Sequence, residues 1–231
     1  MRPDAVEMVD VPVIDLEEDV CPAVVLEDVP WEVYLGLRDI EENNHVRMTY
    51  LDGTLILMSP EYIHEDGTAN LEVLIRNAAV GFEIDIKSAR SATFGKKGKG
   101  GSKGSAKEPD SSFWIGSSER AMRGKKEIIR PPDLALEVDN KADSVIALPI
   151  YARLGVQEVW RYRVRKGKLW FGRLSGKTYE TVDRSVCFPK LTPELVLKAL
   201  SVFNAGTMSE TSWAVWLMDW ARQLPEPPDH D

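Results

Sequence analysis

An acidic segment stands out because its carboxylates are set into an aliphatic run. Residues 131–145, PPDLALEVDNKADSV, contain Asp133, Glu137, Asp139 and Asp143. The run LALEV predicts a buried strand, on which alternate side chains share a face, so the first three acids project together. Burying charge is costly without a partner or a metal, and clustered carboxylates suit a hard divalent cation. The alternative is that this face is in water and the acids are only solvated.

Two further elements could complete such a site. Asp110 stands in KEPDSSFWI where a second strand begins, after a glycine-rich loop and a proline. Alone it reads as a turn residue, but with Glu137 on a neighbouring strand it forms a carboxylate pair able to hold Mg²⁺. His64 and Glu65 lie on a predicted helix over residues 59–79, with His64 on its apolar stripe. A lone histidine there could equally be a residue at the edge of the core.

Four segments occur along the chain in the order LDGTLILMSPEYIHE, EPDSSFWI, PPDLALEVD and IYARLGVQEVWRY. In order and approximate spacing they resemble the Uma-two family of restriction endonucleases, a branch of the PD-(D/E)xK nuclease superfamily. The resemblance covers roughly residues 30–200. The resemblance implies an α/β domain of restriction-endonuclease type, with a mixed sheet flanked by helices, and hydrolysis of DNA that depends on Mg²⁺, or on Mn²⁺ in its place.

The resemblance also implies roles for individual residues. Glu65, Asp110 and Glu137 would support the metal, and His64 would orient a ligand or the water. Asp139 would be an additional metal ligand or a group that supports one, whereas Asp133 is expected to cap the entry to the strand.

The lysine that this chemistry uses is not where the family pattern expects it. Two residues after Glu137 the chain has Asp139, and four residues before the tyrosine of IYA it has Ala147. Lys141 is the nearest substitute, about 13 Å from Glu137 along an extended chain. Either the lysine has moved to Lys141, or the site binds metal without turning over well. The second case describes a catalytically weak or inactive nuclease-fold protein that binds or regulates nucleic acid.

A lysine-rich and glycine-rich segment leads directly into Asp110. Residues 95–107, GKKGKGGSKGSAK, carry five lysines and no acid. One interpretation is a solvated hairpin tip. The other is a basic flap over a phosphate backbone, which would give salt-sensitive attraction to DNA independent of its sequence.

Bulk composition limits the class of protein. The 231 residues carry a net charge of −8, which argues against a general nucleic-acid coating protein but leaves a nuclease open. Two distant cysteines suggest neither a disulfide framework nor a zinc site. No stretch approaches the roughly 18 apolar residues of a membrane span, and no signal peptide is evident. We therefore expect a soluble, cytoplasmic protein without a membrane partner.

The chain divides into three predicted parts. Residues 1–28 read as a flexible acidic lead, residues 29–204 as the endonuclease-like domain, and residues 205–231 as an amphipathic helix with a tail. Trp213, Trp216 and Trp220 recur at helical spacing on that last helix. They could pack on their own domain or form a homodimer seam. A third hypothesis is a purely structural partner protein that uses this helix and does not need the acids.

Overall fold

The computed structural model describes residues 23–43, 45–58, 62–99, 103–125, 127–139 and 144–227, with the backbone alone at 62–65, 139 and 144–146. The strands are β1 (Ala23–Leu26), β2 (Arg47–Leu51), β3 (Thr54–Met58), β4 (Ile86–Ser88), β5 (Phe94–Lys97), β6 (Gly104–Lys107), β7 (Ser111–Ile115), β8 (Leu134–Asp139), β9 (Glu158–Arg163), β10 (Lys168–Ser175) and β11 (Thr178–Thr181). The α-helices are α1 (Trp31–Arg38), α2 (Tyr62–Gly81), α3 (Ser117–Met122), α4 (Ser144–Leu154), α5 (Pro193–Asn204) and α6 (Glu210–Gln223).

The strands form two sheets. One is antiparallel and five-stranded, in the order β1-β3-β2-β6-β5. The other is six-stranded, in the order β11-β10-β9-β8-β7-β4, and is mixed because β8 and β9 run parallel while the other pairs run antiparallel. The predicted α/β class with a mixed, helix-flanked sheet is confirmed, and the second sheet is an addition to it.

Local signals explain where several elements end. Asp52-Gly53 between two alternating runs predicts a two-residue hairpin turn, and both residues have the positive φ that such a turn needs, 48° and 103°. Helix α4 ends at Leu154, and the next residue, Gly155, has a φ of 84° in the left-handed region that favours glycine after a helix. Thr192 caps α5, since its side chain accepts a hydrogen bond from the Leu195 N–H.

Alternation along β8 separates two packing faces. Leu134, Leu136 and Val138 pack in the main core with α2. The approach of α2 is close at Gly67, where an added Cβ would lie 2.7 Å from Val164 Cγ2 and 2.9 Å from Val138 Cγ1. Ala135 packs on the opposite face with α4, which also contacts β6. Glu137 therefore points toward α4 and the five-stranded sheet.

Two segments differ from the sequence expectation. Residues 23–26, placed in the flexible lead, form β1 because they pair with β3 at the edge of the five-stranded sheet, and residues 1–22 lie outside the described part. The sequence SVCF at residues 185–188 predicts a short strand, but the structure has a loop there.

The C-terminal helix packs on the protein's own core. Trp213 is fully buried, stacks on Phe203 with ring centroids 4.6 Å apart, and donates from its indole N–H to the Ala199 carbonyl at 3.2 Å. Trp216 and Trp220 are partly buried against the same core. This packing matches the first of the two alternatives, and a homodimer through the helix stays a prediction. Among the helices described, none is long and apolar enough to cross a membrane.

Candidate functional site

Backbone hydrogen bonds fix Asp110 beside Glu137. The Asp110 N–H donates to the Leu136 carbonyl at 3.1 Å, and Asp110 Oδ2 accepts from the Val138 N–H at 2.7 Å. These two contacts lie on either side of Glu137 in β8. The structure thus brings together the two carboxylates that the sequence analysis paired.

Glu137 is buried among side chains from three elements. The residue is 5% exposed. Its Oε1 accepts a hydrogen bond from the Tyr151 hydroxyl of α4, and its Oε2 lies 3.5 Å from the Lys107 Nζ of β6. The cluster of Asp110, Glu137, Lys107 and Tyr151 is called the carboxylate cluster below.

Tyr151 acts as a hydrogen-bond donor in this cluster. Burial raises the pKa of the Tyr151 hydroxyl well above its usual value, and the negative charges of Glu137 and Asp110 add to the effect. The hydroxyl therefore stays protonated at ordinary pH and holds the Glu137 carboxylate in place, rather than acting as a base.

Sequence reasoning missed Lys107 as a member of the site. The sequence of residues 95–107 predicts a solvated tip or a basic flap, which would expose all five lysines. Lys107 is instead 6% exposed and pairs in register with Thr49 of β2 and Phe94 of β5. Its distance of three residues from Asp110 was the one local signal. Glycine content suggested mobility, whereas pairing on both sides of β6 fixes the backbone.

Other lysines of the same segment have different surroundings. Lys97 Nζ lies 2.9 Å from Glu32 Oε1, and Lys103 Nζ lies 3.1 Å from Asp28 Oδ1. The segment contains the antiparallel strands β5 and β6 and has no acidic residue of its own. Its acidic partners, Glu32 and Asp28, come from α1 and the residues just before it. Exposed pairs of this kind contribute only about 0.2–1 kcal/mol. They can be exchanged for a phosphate at little cost.

Several predicted site residues lie outside what the structure describes. Lys141 is outside the described residues, and so are the side chains of His64, Glu65 and Asp139. The backbone puts Glu65 in the first turn of α2 and Asp139 at the last position of β8. Among the side chains that are described, no group of three His, Cys, Asp or Glu residues is arranged to hold a metal ion.

Two further positions are clear. Ala147 is 1% exposed and packs with Ala135 and Tyr151, so an apolar residue occupies the place where the family pattern expects lysine. Asp133 accepts hydrogen bonds from the Ile115 N–H and the Ser118 hydroxyl, both at 2.8 Å. It caps the entry to β8, as predicted.

Two arginines of β9 lie in register with two acidic residues of β8. In the parallel register, Glu137 is opposite Arg161 and Asp139 is opposite Arg163. Neighbours in register share a face of a sheet, so both arginines belong to the face of the carboxylate cluster. The sequence pattern does not single out these arginines. The strand spacing of Trp160 and Tyr162 predicts core packing for these two aromatic residues, and both are core residues.

Comparisons with known proteins find one matching family model and a similar solved structure. The model of the Uma2 family, described as "Putative restriction endonuclease", matches residues 31–206. No curated protein matches the sequence significantly. Among solved structures, the chain is similar to the crystal structure of a "putative nuclease belonging to DUF820" from Anabaena variabilis ATCC 29413. That similarity has 15% identity and a TM-score of 0.44, and covers 74% of this chain and 90% of the other.

The family match spans well over half of the 231 residues. It includes both carboxylates, Lys107 and Tyr151. The protein therefore belongs to the Uma2 family, and this membership supports a nuclease activity in general terms.

Proposed function

We propose that the protein is a Mg²⁺-dependent endonuclease that hydrolyses DNA phosphodiester bonds. The observation that carries the proposal is the carboxylate pair: Asp110 is fixed beside Glu137 by backbone hydrogen bonds to Leu136 and Val138. Family membership supports a nucleic acid as the substrate.

The residues present suit a magnesium ion. Mg²⁺ prefers oxygen ligands, is commonly bound through one or two carboxylates, and keeps several waters. Asp110 and Glu137 would hold it, with Glu65 and Asp139 as further candidate ligands and Mn²⁺ as a substitute ion. When bound, such an ion supplies Lewis acidity and lowers the pKa of a bound water.

The side chains of the cluster have separable tasks in hydrolysis. A water oxygen loses a proton and bonds to phosphorus, the bond from phosphorus to the leaving oxygen breaks, and that oxygen takes up a proton. Negative charge builds on the phosphoryl oxygens meanwhile, so groups fixed in advance are worth most. Tyr151 fixes the Glu137 carboxylate, and the Val138 N–H fixes Asp110. His64 remains the candidate for orienting the water.

Basic residues near the cluster support DNA as the partner. Arg161 and Arg163 share its face, and the β5–β6 hairpin carries Lys97 and Lys103 in exposed ion pairs. Contacts of these residues with phosphates would be insensitive to base sequence and would weaken with salt.

The test is cleavage of supercoiled plasmid with Mg²⁺ or Mn²⁺ by the wild type, Asp110→Ala, Glu137→Ala and Glu180→Ala. Glu180 is the matched control, an exposed glutamate of the same sheet that pairs with Arg173. We expect metal-dependent nicking by the wild type and the control, and none by the other two variants. A folded wild type that cleaves no DNA with either ion would contradict the proposal.

One observation favours a second function. Because Ala147 is apolar and buried, the protein could keep the nuclease fold and bind nucleic acid with little or no catalysis. This alternative predicts DNA binding by fluorescence anisotropy, without cleavage, under the conditions of the plasmid assay.

A further inference from the structure

We propose that Lys107 is the cationic positioning residue of the carboxylate cluster, in place of a lysine at position 147 or 141. This inference rests on the proposed function for its chemistry. Its evidence is independent, because it comes from the ion pair of Lys107 with Glu137.

The burial of this pair is the first argument. Lys107 and Glu137 are 6% and 5% exposed, with 3.5 Å between Nζ and Oε2. Lysine and glutamate are almost never buried unless paired, and a buried pair is often no more stabilising than apolar residues of similar volume. Stability alone therefore gives little reason to keep this pair, which favours a functional role for it.

The rigidity of the backbone is the second argument. Lys107 ends β6, a strand paired on both sides, by β2 through Thr49 and by β5 through Phe94. Its Cα is therefore fixed, unlike that of a loop lysine, and Asp110 follows three residues later. One short segment delivers both the cation and one carboxylate of the cluster.

The third argument concerns space beside α4. Ala147 and Tyr151 are four residues apart and share a face of this helix, and Tyr151 contacts Glu137. Helix α4 also packs against β6. A small residue at 147 leaves the region beside Glu137 to the Lys107 side chain, which enters from the other sheet.

The ammonium of Lys107 has two tasks in this arrangement. It holds the Glu137 carboxylate through their ion pair, and it adds a fixed positive charge where the phosphoryl oxygens of a bound phosphodiester become more negative. It has three donors and no acceptor, so it serves as a donor and a charge and not as a base.

Single-turnover cleavage tests the proposal directly. The variants are Lys107→Met, which keeps the stem and removes the charge, Lys107→Arg, which keeps the charge, and two comparisons, Lys190→Met and Lys141→Ala. Lys190 is the matched control because its Nζ pairs with the exposed Glu226 and not with Glu137. We expect Lys107→Met to lose about 100-fold or more in rate, the size typical of one preorganised donor, while its Kd for DNA in Ca²⁺ changes by less than about threefold.

The other variants give the expected contrast. Lys107→Arg should cleave at least about tenfold faster than Lys107→Met, because the site needs the positive charge more than the shape of the lysine side chain. Lys190→Met and Lys141→Ala should cleave within about threefold of the wild type, since the proposal assigns neither lysine to the carboxylate cluster. Equal rates for Lys107→Met and Lys190→Met would overturn the proposal, and so would a large loss at Lys141→Ala with none at Lys107→Met.

A binding experiment separates this inference from the proposed function. Titration calorimetry with Mn²⁺ should show tighter binding to Lys107→Met than to the wild type, by about tenfold, because a cation next to Glu137 is removed. Unchanged or weaker Mn²⁺ binding would overturn the role of Lys107 even if the wild type cleaves. Tighter binding by Lys107→Met with no cleavage by the wild type would retain Lys107 as a residue of the metal site and reject the nuclease. Thermal melting checks each fold, and Lys107→Gln takes the place of Lys107→Met if that variant unfolds.

Discussion

Two buried glutamates lie on neighbouring strands of the six-stranded sheet and have opposite surroundings. Glu137 of β8 is 5% exposed and Glu158 of β9 is fully buried. Glu158 accepts hydrogen bonds from the Trp160 indole at 2.6 Å, the Ser185 hydroxyl at 3.0 Å and the Cys187 N–H at 2.7 Å. All three donors are neutral. Glu137 instead has a cation, a tyrosine hydroxyl and a second carboxylate as neighbours.

The difference separates a structural acid from a candidate reactive one. Burial raises the pKa of the Glu158 carboxyl, and burial together with the Glu158 charge raises that of the Cys187 thiol well above its usual value. Glu158 serves as an acceptor that attaches the loop of residues 185–188 to β9. Burial by itself therefore does not mark a functional acid, since both glutamates have it. The cation and the paired carboxylate distinguish Glu137.

The largest expected effect comes from exchanging each acid for its amide. Glu137→Gln should lower the rate of plasmid cleavage about 1,000-fold, because under the proposed function Glu137 is a metal ligand that contributes several kcal/mol of transition-state stabilisation. Glu158→Gln should cleave within about threefold of the wild type, since its contacts lie on the other face of the sheet. Cleavage rates of the folded variants at equal concentration test this prediction. Full activity of Glu137→Gln would show that Glu137, like Glu158, is not needed for cleavage.

A smaller effect is expected for the tyrosine that holds Glu137. Tyr151→Phe removes one donor to a buried carboxylate, so cleavage should fall about tenfold and stability by about 1–3 kcal/mol. Tyr179→Phe is the matched control, because its hydroxyl donates to the Val156 carbonyl at 2.6 Å and not to an acid. It should lose stability by about 1 kcal/mol and keep its cleavage rate. Similar rates for both variants would show that Tyr151 only fills space.

The donors around Glu158 should affect stability and not activity. Ser185 donates to Glu158 and also accepts from the Phe188 N–H at 2.9 Å, so Ser185→Ala should cost about 1–3 kcal/mol in the free energy of unfolding. Ser201→Ala removes an exposed hydroxyl and serves as the control. Urea denaturation measures both. A loss of cleavage in folded Ser185→Ala would show that the surroundings of Glu158 affect activity as well as stability, which contradicts the prediction.

The smallest expected effect is a difference in pH dependence. A carboxyl whose pKa is raised by folding contributes stability that is present below its ordinary pKa and lost as pH rises through the raised value. The free energy of unfolding of the wild type should therefore decline more from acid toward neutral pH than that of Glu158→Gln. Parallel curves for the two proteins would mean that Glu158 titrates normally.

Local sequence signals predicted strand β8, the turn between β2 and β3, and the carboxylate pair. Alternation along LALEV and the turn at Asp52-Gly53 are local, so they could be read without the fold. The position of Lys107 depends on pairing with Thr49, which is 58 residues earlier in the chain. The glycine-rich sequence before Lys107 suggested a mobile loop. No local pattern indicates that a strand so far away in the sequence pairs with it. Strand β1 was missed for the same reason, because its pairing with β3 decides its conformation.

The close approach of α2 at Gly67 has a consequence for how the protein tolerates substitution. Any side chain at this position would meet Val164 and Val138 and would move the helix away from the sheet. The same turn of the helix carries Glu65. In a library of random single substitutions selected for activity, position 67 should therefore be as intolerant as a metal ligand, although its residue has no side chain to do chemistry.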